Sequence, residues 1–424
     1  MAKKSKKLEE LKDIFEEKNI RVEMLNTDVL SELAEKFKCL NDTRNDSYVK
    51  HLLSDVVMLT LLAVLSNADE WTQIEDFGKK KEEWLRKILQ LPNGIPSHDT
   101  IQRVMAIIKN EQLSVICVSF LIEKLKQIDE IINKTEEKEI QAFDGKTSRG
   151  SSRKETTEEK IKALHTLSVY SVTYGISLAQ VYIDEKSNEI PAMLDLLDVV
   201  DVKNKINTWD AMNTQKATVE KVIANGGEYV GALKGNQHNF YQDVVDFFTE
   251  EIREEIKVGK KNYKKVTAKE NSNIVTREYF MTDDIEWLYN KEKWAGLKSI
   301  GMEQKTIEKA TGEIIKEERY YIISFKNDIE TFARAVREHW GIENGLHWHL
   351  DFTFNEDRNT TAEKNSLKNL GIIKKIVLGI LKTVQYSYGK SLKRIRYDLS
   401  LNFEEEIEKI FKILNVEQLQ TLLK

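Results

Sequence analysis

The stretch REHWGIENGLHWHLD, residues 337–351, decides the interpretation of this 424-residue chain. Read as a helix, it continues an apolar stripe in which most steps are three or four residues, formed by Phe332, Val336, Trp340, Leu346 and Leu350. Glu343 falls on the same stripe, seven residues after Val336. A carboxylate that faces inward is costly unless something pairs with it. A metal ion shared with other carboxylates is one such partner.

The composition predicts a soluble globular protein of two to four folding units, since 41% of residues are hydrophobic and 32% are charged. The sequence contains no run of 18 apolar residues, so it indicates no membrane span. The basic N-terminal segment has no apolar core, so we do not expect a secretory signal. The two cysteines, Cys39 and Cys117, offer neither a disulfide framework nor a metal-binding spacing. A reducing cytoplasm is the expected compartment.

The charge distribution is uneven along the chain. The net charge of −5 argues weakly against nucleic acid as a partner. Residues 364–396, however, contain nine Lys or Arg and no Asp or Glu. Such a segment is either an electrostatic footprint for phosphates or a solvated helix face whose charges are paired elsewhere. Charge alone favours neither reading.

The first third of the chain has helical spacing. We expect residues 1–43 to form a charged amphipathic segment that buries little. Residues 44–127 should form an all-helical domain of the size of a DNA-binding or assembly module, with a cap at Ser97 or Asp99 and a last helix over 111–127.

After Lys138 the pattern changes to an α/β order. Residues 140–143 read as a strand that ends before Asp144, and two β-rich runs at 163–175 and 176–185 form a hairpin. Helices and strands then alternate. The helices are 189–201, 213–227 and 236–257, and the strands are 205–210 and 228–235.

Strand direction predicts where two aspartates lie. The first strand and the strand that ends at Asp210 run parallel, since a hairpin and then a helical crossover connect them. Asp144 and Asp210 therefore emerge at the carboxyl edge of the sheet, where ligands bind in open α/β folds. If the two strands are neighbours, both carboxylates come within reach of one ion.

Residues 258–325 alternate like antiparallel strands, which predicts a β-rich insertion before the helix of Glu343. Residues 326–385 return to helix, and residues 386–424 end the chain as a helical tail. The first part of the α/β core spans 138–257 and its last part spans 326–385.

Several motifs resemble the bacterial insertion-sequence transposases of the H-repeat-associated (ISAs) type. They occur in the family's order over roughly residues 44–385. They are PNGIPSHDTIQRV, FDGKTSRGS, EKSNEI, TWDAMNTQ, ALKGNQ, ERYYIIS, REHWGIENGLHWHLDFTFNED and AEKN. The resemblance implies an α/β fold of the ribonuclease-H-like type with a mixed sheet and flanking helices. It also implies a β-rich insertion before the last catalytic helix and an N-terminal helical domain associated with the transposase.

The resemblance further implies a catalytic triad of Asp144, Asp210 and Glu343. In that reading the three carboxylates hold two Mg²⁺ or Mn²⁺ ions, Asp144 bridging both while Asp210 and Glu343 each hold one. Each acid has an ordinary alternative. Asp144 could be a turn residue, Asp210 a helix N-cap, and Glu343 the partner of Arg337 or a lysine.

One departure concerns the third acid's helix. Related transposases with a β insertion carry a Tyr-Arg-Glu-Lys signature, but the matching positions here are Val336, His339, Glu343 and Leu350. Arg337, His339, His347 or His349 could substitute for the missing basic residues. The same histidines could instead orient neighbouring groups or pack against Trp340 and Trp348.

Candidate DNA contacts flank these acids in the sequence. They are Lys146, Arg149, Arg153, Lys234, Gln237, Arg337, His339, His347, Lys374 and Lys375. For the first three, a solvated loop is the alternative, and for Lys234 and Gln237 it is ordinary turn chemistry. Trp287 and Trp294 could stack on an unpaired end base, although core packing is the commoner role of such tryptophans.

The resemblance therefore implies a Mg²⁺-dependent transposase that binds the ends of its insertion element, cuts them and joins them to target DNA. Its partner would be double-stranded DNA, both transposon ends and target, with a homodimer forming on the DNA. The expected location is cytoplasmic, at the nucleoid when DNA is bound, and no membrane is involved. The alternatives are a metal-dependent endonuclease and an inactive copy that only binds DNA.

Overall fold

The first part of the chain that the structure describes is a bundle of five α-helices. The computed structural model describes residues 28–132, 137–154, 160–161, 163–183, 188–416 and 418. The helices are α1 Asp28–Phe37, α2 Leu53–Leu65, α3 Trp71–Leu85, α4 His98–Ile107 and α5 Asn110–Ile132. Helix α2 is apolar on all sides and is buried along almost its whole length, which makes it the central helix. Ser97 caps α4 as predicted, because its hydroxyl accepts the N–H of Thr100.

Helix α1 corrects one expectation for the N-terminal segment. Residues 1–27 lie outside the described residues. In α1, however, the apolar face of Val29, Leu30, Leu33 and Phe37 is buried in the same core as α2. The prediction that this segment buries little is therefore wrong for the part that the structure describes.

A mixed sheet follows in the sequence. Four helices alternate with its strands or follow them. The strands are β1 Ile140–Ser148, β2 Arg153–Lys154, β3 Lys160–Ile161, β4 Leu164–Ser171, β5 Ile176–Ile183, β6 Ile206–Trp209 and β7 Glu228–Leu233. The helices are α6 Glu189–Val199, α7 Lys216–Ala224, α8 His238–Phe247 and α9 Glu250–Gly259. The predicted helix over 236–257 is two helices, because Thr249 caps a new one by accepting the N–H of Ile252.

The core strands are ordered β5-β4-β1-β6-β7. Strand β4 is antiparallel to both of its neighbours, β5 and β1, while β1, β6 and β7 are parallel. This is the ribonuclease-H-like arrangement that the resemblance implies, and the α/β fold class is confirmed. The predicted hairpin is present as β4 and β5.

The β-rich insertion continues the same sheet rather than forming a separate one. Its strands are β8 Tyr263–Glu270, β9 Asn273–Thr282, β10 Ser299–Glu308 and β11 Ile314–Ile323. Strand β11 pairs antiparallel with β7, placing Tyr320 opposite Leu233. The result is a nine-stranded sheet in the order β5-β4-β1-β6-β7-β11-β10-β9-β8.

The last helices return to the beginning of the chain. They are α10 Ile329–His339, α11 Trp348–Phe352, α12 Lys364–Tyr388, α13 Leu392–Leu401 and α14 Phe403–Ile413, with a π-helical turn, Glu343–His347, between α10 and α11. Helix α12 contacts α2, α4 and α5 on one side and β5 on the other. Helices from both ends of the chain therefore share one apolar core.

Membrane-spanning potential is limited to one bent pair of helices in the described part of the chain. There, no single helix has the length and apolar character needed to cross a bilayer. The helices His98–Ile107 and Asn110–Ile128 meet the criteria only together, and they are bent by 92°.

Candidate active site

The two aspartates lie on neighbouring parallel strands. Strand β1 pairs directly with β6, and the last pair in the register is Phe143 with Trp209. Asp144 and Asp210 are the next residue on each strand, so they leave the pairing side by side. The sequence placed Asp144 after the end of its strand, but β1 continues to Ser148 because β4 pairs with it throughout, Asp144 facing Ser168.

Asp144 is a destabilised anion in this setting. Its Oδ1 accepts the N–H of Gly145 at 2.9 Å. Burial, followed by the negative charges of Glu343, Asp210 and Glu189, raises the pKa of Asp144 to about 7. A carboxylate whose pKa is raised by other carboxylates gains stability from a cation.

Asp210 combines the predicted role with its ordinary alternative. It is the N-cap of a short 3₁₀ helix, Ala211–Asn213, and its Oδ1 accepts the N–H of Asn213 at 3.3 Å. Burial and the charge of Glu189 nevertheless raise the pKa of Asp210, against the hydrogen bonds from Asn213 and the charge of Lys234. One carboxylate oxygen thus caps the turn while the group stays part of the acidic cluster.

Glu343 begins the π-helical turn and is exposed, so its expected place on the buried stripe is wrong. The regular α-helix ends at His339, which breaks the seven-residue relation to Val336. Ile342 and Leu346 take the buried positions around Glu343. Helix breaks of this π type are frequent at functional sites.

Two glycines bring the Glu343 turn close to the sheet. A Cβ on Gly341 would lie 2.8 Å from Val172 Cγ1. A Cβ on Gly345 would lie 2.4 Å from the Tyr170 hydroxyl and 3.0 Å from Lys382 Nζ. The turn therefore packs against the end of β4, next to the strand of Asp144.

The three acids have the oxygen donors that a divalent cation prefers. Their side chains are too far apart in this structure to hold one ion together. Carboxylate oxygens are the ligands that hard cations prefer, and the charge of Glu343 reaches Asp144 strongly enough to raise its pKa. Across the described residues, no three His, Cys, Asp or Glu side chains lie close enough to hold one metal ion together. Asp144 and Asp210 lie side by side, and Glu343 is near enough for its charge to act on Asp144.

The histidines near Glu343 have separate surroundings. His347 Nδ1 lies 3.4 Å from Asp144 Oδ2, and burial with the charges of Lys375 and Lys146 lowers the pKa of His347 to about 3. His339 contacts the hydroxyl of Thr208 at 3.0 Å, and burial lowers its pKa to about 4. His349 is buried against Thr353. Only His347 touches an acid of the triad.

Lys146 makes an ion pair instead of facing solvent. Its Nζ lies 2.6 Å from Asp351 Oδ1, with Glu356 and Asp357 within 3.6 Å. These carboxylates follow the Glu343 turn in the sequence. Lys146 therefore ties β1, two residues after Asp144, to the segment that carries the third acid.

The other predicted DNA contacts differ in availability. Arg149 and Lys234 are exposed, and the charge of Lys234 partly opposes the rise in the pKa of Asp210. Gln237 donates to the carbonyl of Thr214, which holds the turn after β7 against the loop of Asp210. Arg337 pairs with Glu270 at 3.1 Å. The backbone of Arg153 lies in β2, but its side chain is outside the description.

The basic segment on α12 is largely internal. Lys374 is 1% exposed and donates to the carbonyl of Phe354 at 2.9 Å, so it cannot reach a phosphate from this position. Lys375 donates to Ser168 and Gln180 of the sheet, and burial lowers its pKa to about 8. The prediction that Lys374 contacts DNA is wrong for this structure, because the lysine is buried and donates to a backbone carbonyl.

Sequence reasoning missed three residues beside the acids: Glu189, His165 and Asn213. Glu189 accepts from Asn213 at 2.9 Å and contacts His165 at 2.8 Å, and Asn213 also donates to Asp210 at 3.1 Å. The signal was present in the motif EKSNEI. A glutamate in the first turn of a helix, however, is ordinarily explained by the helix dipole.

The two tryptophans of the insertion pack against the protein, as the commoner reading expects. Trp294 is buried, and Trp287 stacks on Phe247 with ring centroids 5.0 Å apart. By contrast, Trp348 and Phe352 are 49% and 64% exposed and stack on each other at 5.2 Å. This pair lies on α11, directly after His347.

A comparison with protein families agrees with this geometry. The family model described as "Transposase DDE domain" matches residues 135–380, and the model described as "DDE_Tnp_1-associated" matches residues 34–121. The chain belongs to the DDE transposase family. The first match contains the whole acidic cluster, and the second covers most of the N-terminal helices.

Relatives of this transposase-family chain include two proteins of Escherichia coli. "Putative transposase YncI" of strain O157:H7 is 36% identical, over 88% of this chain and 93% of its own length. "H repeat-associated putative transposase YhhI" of strain K12 is 33% identical, over 83% of this chain and 90% of its own. The resemblance to H-repeat-associated transposases is therefore confirmed.

Among solved structures, a piggyBac transposase in a synaptic complex with hairpin DNA is similar. The matched region covers 93% of the present chain and 79% of the piggyBac chain. The sequence identity is 10% and the TM-score is 0.35. A likeness at this level supports no conclusion about function.

Proposed function

We propose that the chain binds the ends of its own insertion element, cleaves them and joins them to target DNA with the help of divalent cations. The observation that carries this proposal is the pairing of β1 with β6, which sets Asp144 beside Asp210 at one sheet edge. Membership of the DDE transposase family supports a DNA-processing enzyme in general. The choice of Mg²⁺ or Mn²⁺ and the number of two ions belong to this proposal.

Asp144, Asp210 and Glu343 would hold the cations. When bound, divalent ions neutralise charge on the phosphodiester and lower the pKa of the attacking water or 3′-hydroxyl. Asp144 and Asp210 come from rigid strands, so they fix the position of the site. Glu343 sits on a turn and is exposed, so it can approach the aspartates once their mutual repulsion is relieved.

The chain offers further groups for the DNA backbone and for bases. Lys234 beside Asp210 and Arg149 beyond the end of β1 are exposed cations suited to phosphates. Trp348 and Phe352 present a stacked aromatic surface on the helix that follows the Glu343 turn. Aromatic surfaces of this kind stack on unpaired bases. We assign the DNA end to this side of the sheet.

The decisive experiment incubates the protein with DNA carrying the ends of its own element, a target plasmid and Mg²⁺. A transposase yields joined products. Cut ends without joining would instead identify an endonuclease, and a gel shift without cutting would identify an inactive DNA-binding copy.

Substitution of the acids tests their assignment in the same assay. Asp144→Ala, Asp210→Ala and Glu343→Ala should each abolish cleavage and joining while leaving DNA binding largely intact, because cation binding and not DNA affinity is removed. Glu303→Ala, at a buried glutamate of the insertion strand β10, is the comparison variant. Joining that persists in any one triad variant removes that residue from the triad.

A further inference from the structure

Glu189 is a buried carboxylate next to the acidic cluster. It lies in the first turn of α6, and only 8% of its surface is exposed. Burial alone would raise its pKa, but the hydrogen bonds from His165 and Asn213 outweigh burial and lower it. The group is therefore an anion held inside the protein by neutral or weakly basic partners.

Gly145 shows how closely this carboxylate approaches the strand of Asp144. A Cβ on Gly145 would lie 2.2 Å from Glu189 Oε1 and 3.1 Å from His165 Nε2. A contact of 2.2 Å does not occur in real structures, so the residue after Asp144 must be glycine for Glu189 to stay in place. The Asp-Gly pair lies within strand β1 and forms no turn, so packing against Glu189 accounts for the glycine.

Asn213 links Glu189 to the second acid. Its side-chain amide donates to Glu189 Oε2 at 2.9 Å and to Asp210 Oδ1 at 3.1 Å, so each amide hydrogen serves one carboxylate. On the other side, Glu189 contacts His165 Nε2, and His165 Nδ1 contacts the hydroxyl of Thr147 on β1. The contacts run without a gap from β1 to Asp210.

The charge of Glu189 also acts on both aspartates. It raises the pKa of Asp144 and the pKa of Asp210, although it does not hydrogen-bond either of them directly. A fixed negative charge behind a pair of carboxylates deepens the local negative potential. That potential favours a divalent cation over a proton or a monovalent ion.

We propose that Glu189 is a positioning residue for the cation site, which orients Asp210 through Asn213 and adds a negative charge that strengthens cation binding. This inference rests on the proposed function, since it assigns Glu189 a role in the same site. Groups that orient metal ligands typically change metal affinity or activity about 10- to 100-fold when they are replaced.

The test measures cation affinity separately from chemistry. Mn²⁺ is titrated into the protein bound to pre-cleaved end DNA without target, and free Mn²⁺ is followed by electron paramagnetic resonance. Glu189→Gln keeps the shape of the side chain and removes its charge. We expect it to weaken Mn²⁺ binding about 10-fold. The half-saturating Mn²⁺ concentration for joining should rise by a similar factor, with a smaller change in rate at saturation.

Two variants guard against a purely structural effect. Glu303→Gln removes the charge of another buried glutamate, which pairs with Arg277 and Arg319 three strands away from β6. It should leave Mn²⁺ affinity unchanged. Asn213→Ala removes the bridge to Asp210 while leaving Glu189 and His165 together, so it should also weaken Mn²⁺ binding even if Glu189→Gln folds poorly. Thermal unfolding of each variant reports folding.

The outcomes separate this inference from the proposed function. If the wild type binds Mn²⁺ and joins ends, but folded Glu189→Gln and Asn213→Ala variants bind Mn²⁺ as tightly as it does, Glu189 has no positioning role. If the wild type neither binds Mn²⁺ nor cuts its ends, the proposed function fails and the inference fails with it.

Discussion

Gly345 shows how a residue without a side chain can determine where a neighbouring acid, Glu343, lies. The residue lies two positions after Glu343, within the π-helical turn, and is buried. Tyr170 and Lys382 occupy the space that a Cβ would need. The position of Glu343 near Asp144 therefore depends on a contact that the acid itself does not make.

Gly345→Ala should displace the turn and with it Glu343. Inserting a methyl group into a close-packed site costs about 1–3 kcal/mol. We expect a loss of stability in this range and a larger loss of joining activity. Urea unfolding and the joining assay measure the two effects.

Gly259→Ala is the matched control for this substitution, since nothing lies within 4 Å of the position that its Cβ would take. It should leave both measurements unchanged. An alanine at position 345 that supports normal joining would show that the turn need not pack against Tyr170.

The individual acids were predictable to different degrees. Asp144 and Asp210 follow from strand pattern and direction, because both carry their signal locally. Glu343 was identified from the family motif. The prediction that it is buried was wrong, because the π-helical turn changes which face of the helix its side chain occupies. Glu189 and Asn213 meet only through tertiary contacts, 24 residues apart in sequence, and no local periodicity encodes such a contact.

Helix α11 shows at the scale of an element how one short helix combines two surfaces. Its neighbour His347 contacts Asp144, and Asp351 pairs with Lys146. The adjoining face carries the exposed Trp348 and Phe352. The acid-facing and aromatic faces are thus fixed relative to each other by one piece of backbone.

Trp348→Ala should weaken binding of DNA ends that carry unpaired bases. Base stacking on an aromatic side chain contributes about 1–3 kcal/mol per base. Fluorescence anisotropy with a single-stranded overhang, compared with a blunt duplex, measures the difference.

Trp287→Ala is the comparison for Trp348, because Trp287 has a similar exposure and also stacks on a phenylalanine, but it lies between β9 and β10 of the insertion instead of beside His347. It should leave the overhang preference unchanged. Equal losses in the two variants, or a loss that is the same for blunt DNA, would contradict stacking at Trp348.

Helices α3 and α4 are joined by Glu75. Its Oε2 accepts the backbone N–H of His98 at 2.7 Å and also contacts the ring of that residue. Hydrogen bonds from Lys79 and from His98 lower the pKa of Glu75 to about 2. The carboxylate therefore helps to hold the N-terminus of α4 against α3.

Glu75→Gln should make the protein less stable at neutral pH and change its acid sensitivity. A carboxylate with a lowered folded-state pKa contributes stability above its unfolded pKa of 4.5, and this contribution disappears as the pH falls through about 2. The wild type and the variant should therefore differ fully above pH 4.5 and converge near pH 2.

Urea unfolding between pH 2 and pH 7 measures this convergence. Glu83→Gln, at an exposed position of the same helix, should not alter the pH dependence. A constant difference between the wild type and Glu75→Gln at all pH values would contradict the linkage to Glu75.

The presence of each helix and strand was easier to predict than the residues at which it begins and ends. The hairpin of β4 and β5 and the crossover helices were visible from periodicity. The break after Phe247 was not, because Thr249 caps a new helix within an unbroken apolar pattern. Strand β1 extends past its apolar run because its length is set by pairing with β4.

At the scale of the whole molecule, a buried ion pair joins the two ends of the fold. Arg396 of α13 is completely buried and contacts Asp69, after α2, at 2.6 Å. Its guanidinium also donates to the carbonyls of Val64 and Thr353 and lies over the ring of Phe354. One side chain thus connects N-terminal helices, the segment after α11, and α13.

Arg396→Met should strongly destabilise the protein, because it leaves Asp69 buried without its cation. Breaking a buried pair by removing one partner costs about 3–5 kcal/mol. The double variant Asp69→Leu with Arg396→Met should recover much of that loss. Urea unfolding of the single and double variants gives the coupling energy between the two residues.

Arg394→Met, at an exposed position of the same helix, should have little effect on stability. A double variant that is as unstable as the sum of its single variants would show that the two charges do not depend on each other.

The basic segment was the least predictable feature of the whole molecule. Nine cations without an acid left two readings equally open, a surface for phosphates and a helix face paired elsewhere, and Lys374 and Arg396 lie in the interior. Their partners are backbone carbonyls and Asp69, more than 300 residues away from Arg396 in the second case. Composition counts charges but cannot tell which of them the fold encloses.

The ion pair between Asp69 and Arg396 has a consequence for how the protein is made. The ribosome synthesises residues 53–85 long before α13 emerges, so the first helices cannot complete their core during translation. A messenger that stops short of codon 396 yields helices with an unneutralised acid inside. A shortened protein that lacks residue 396 would therefore keep Asp69 without its cation, and we expect it to be far less stable than the full chain.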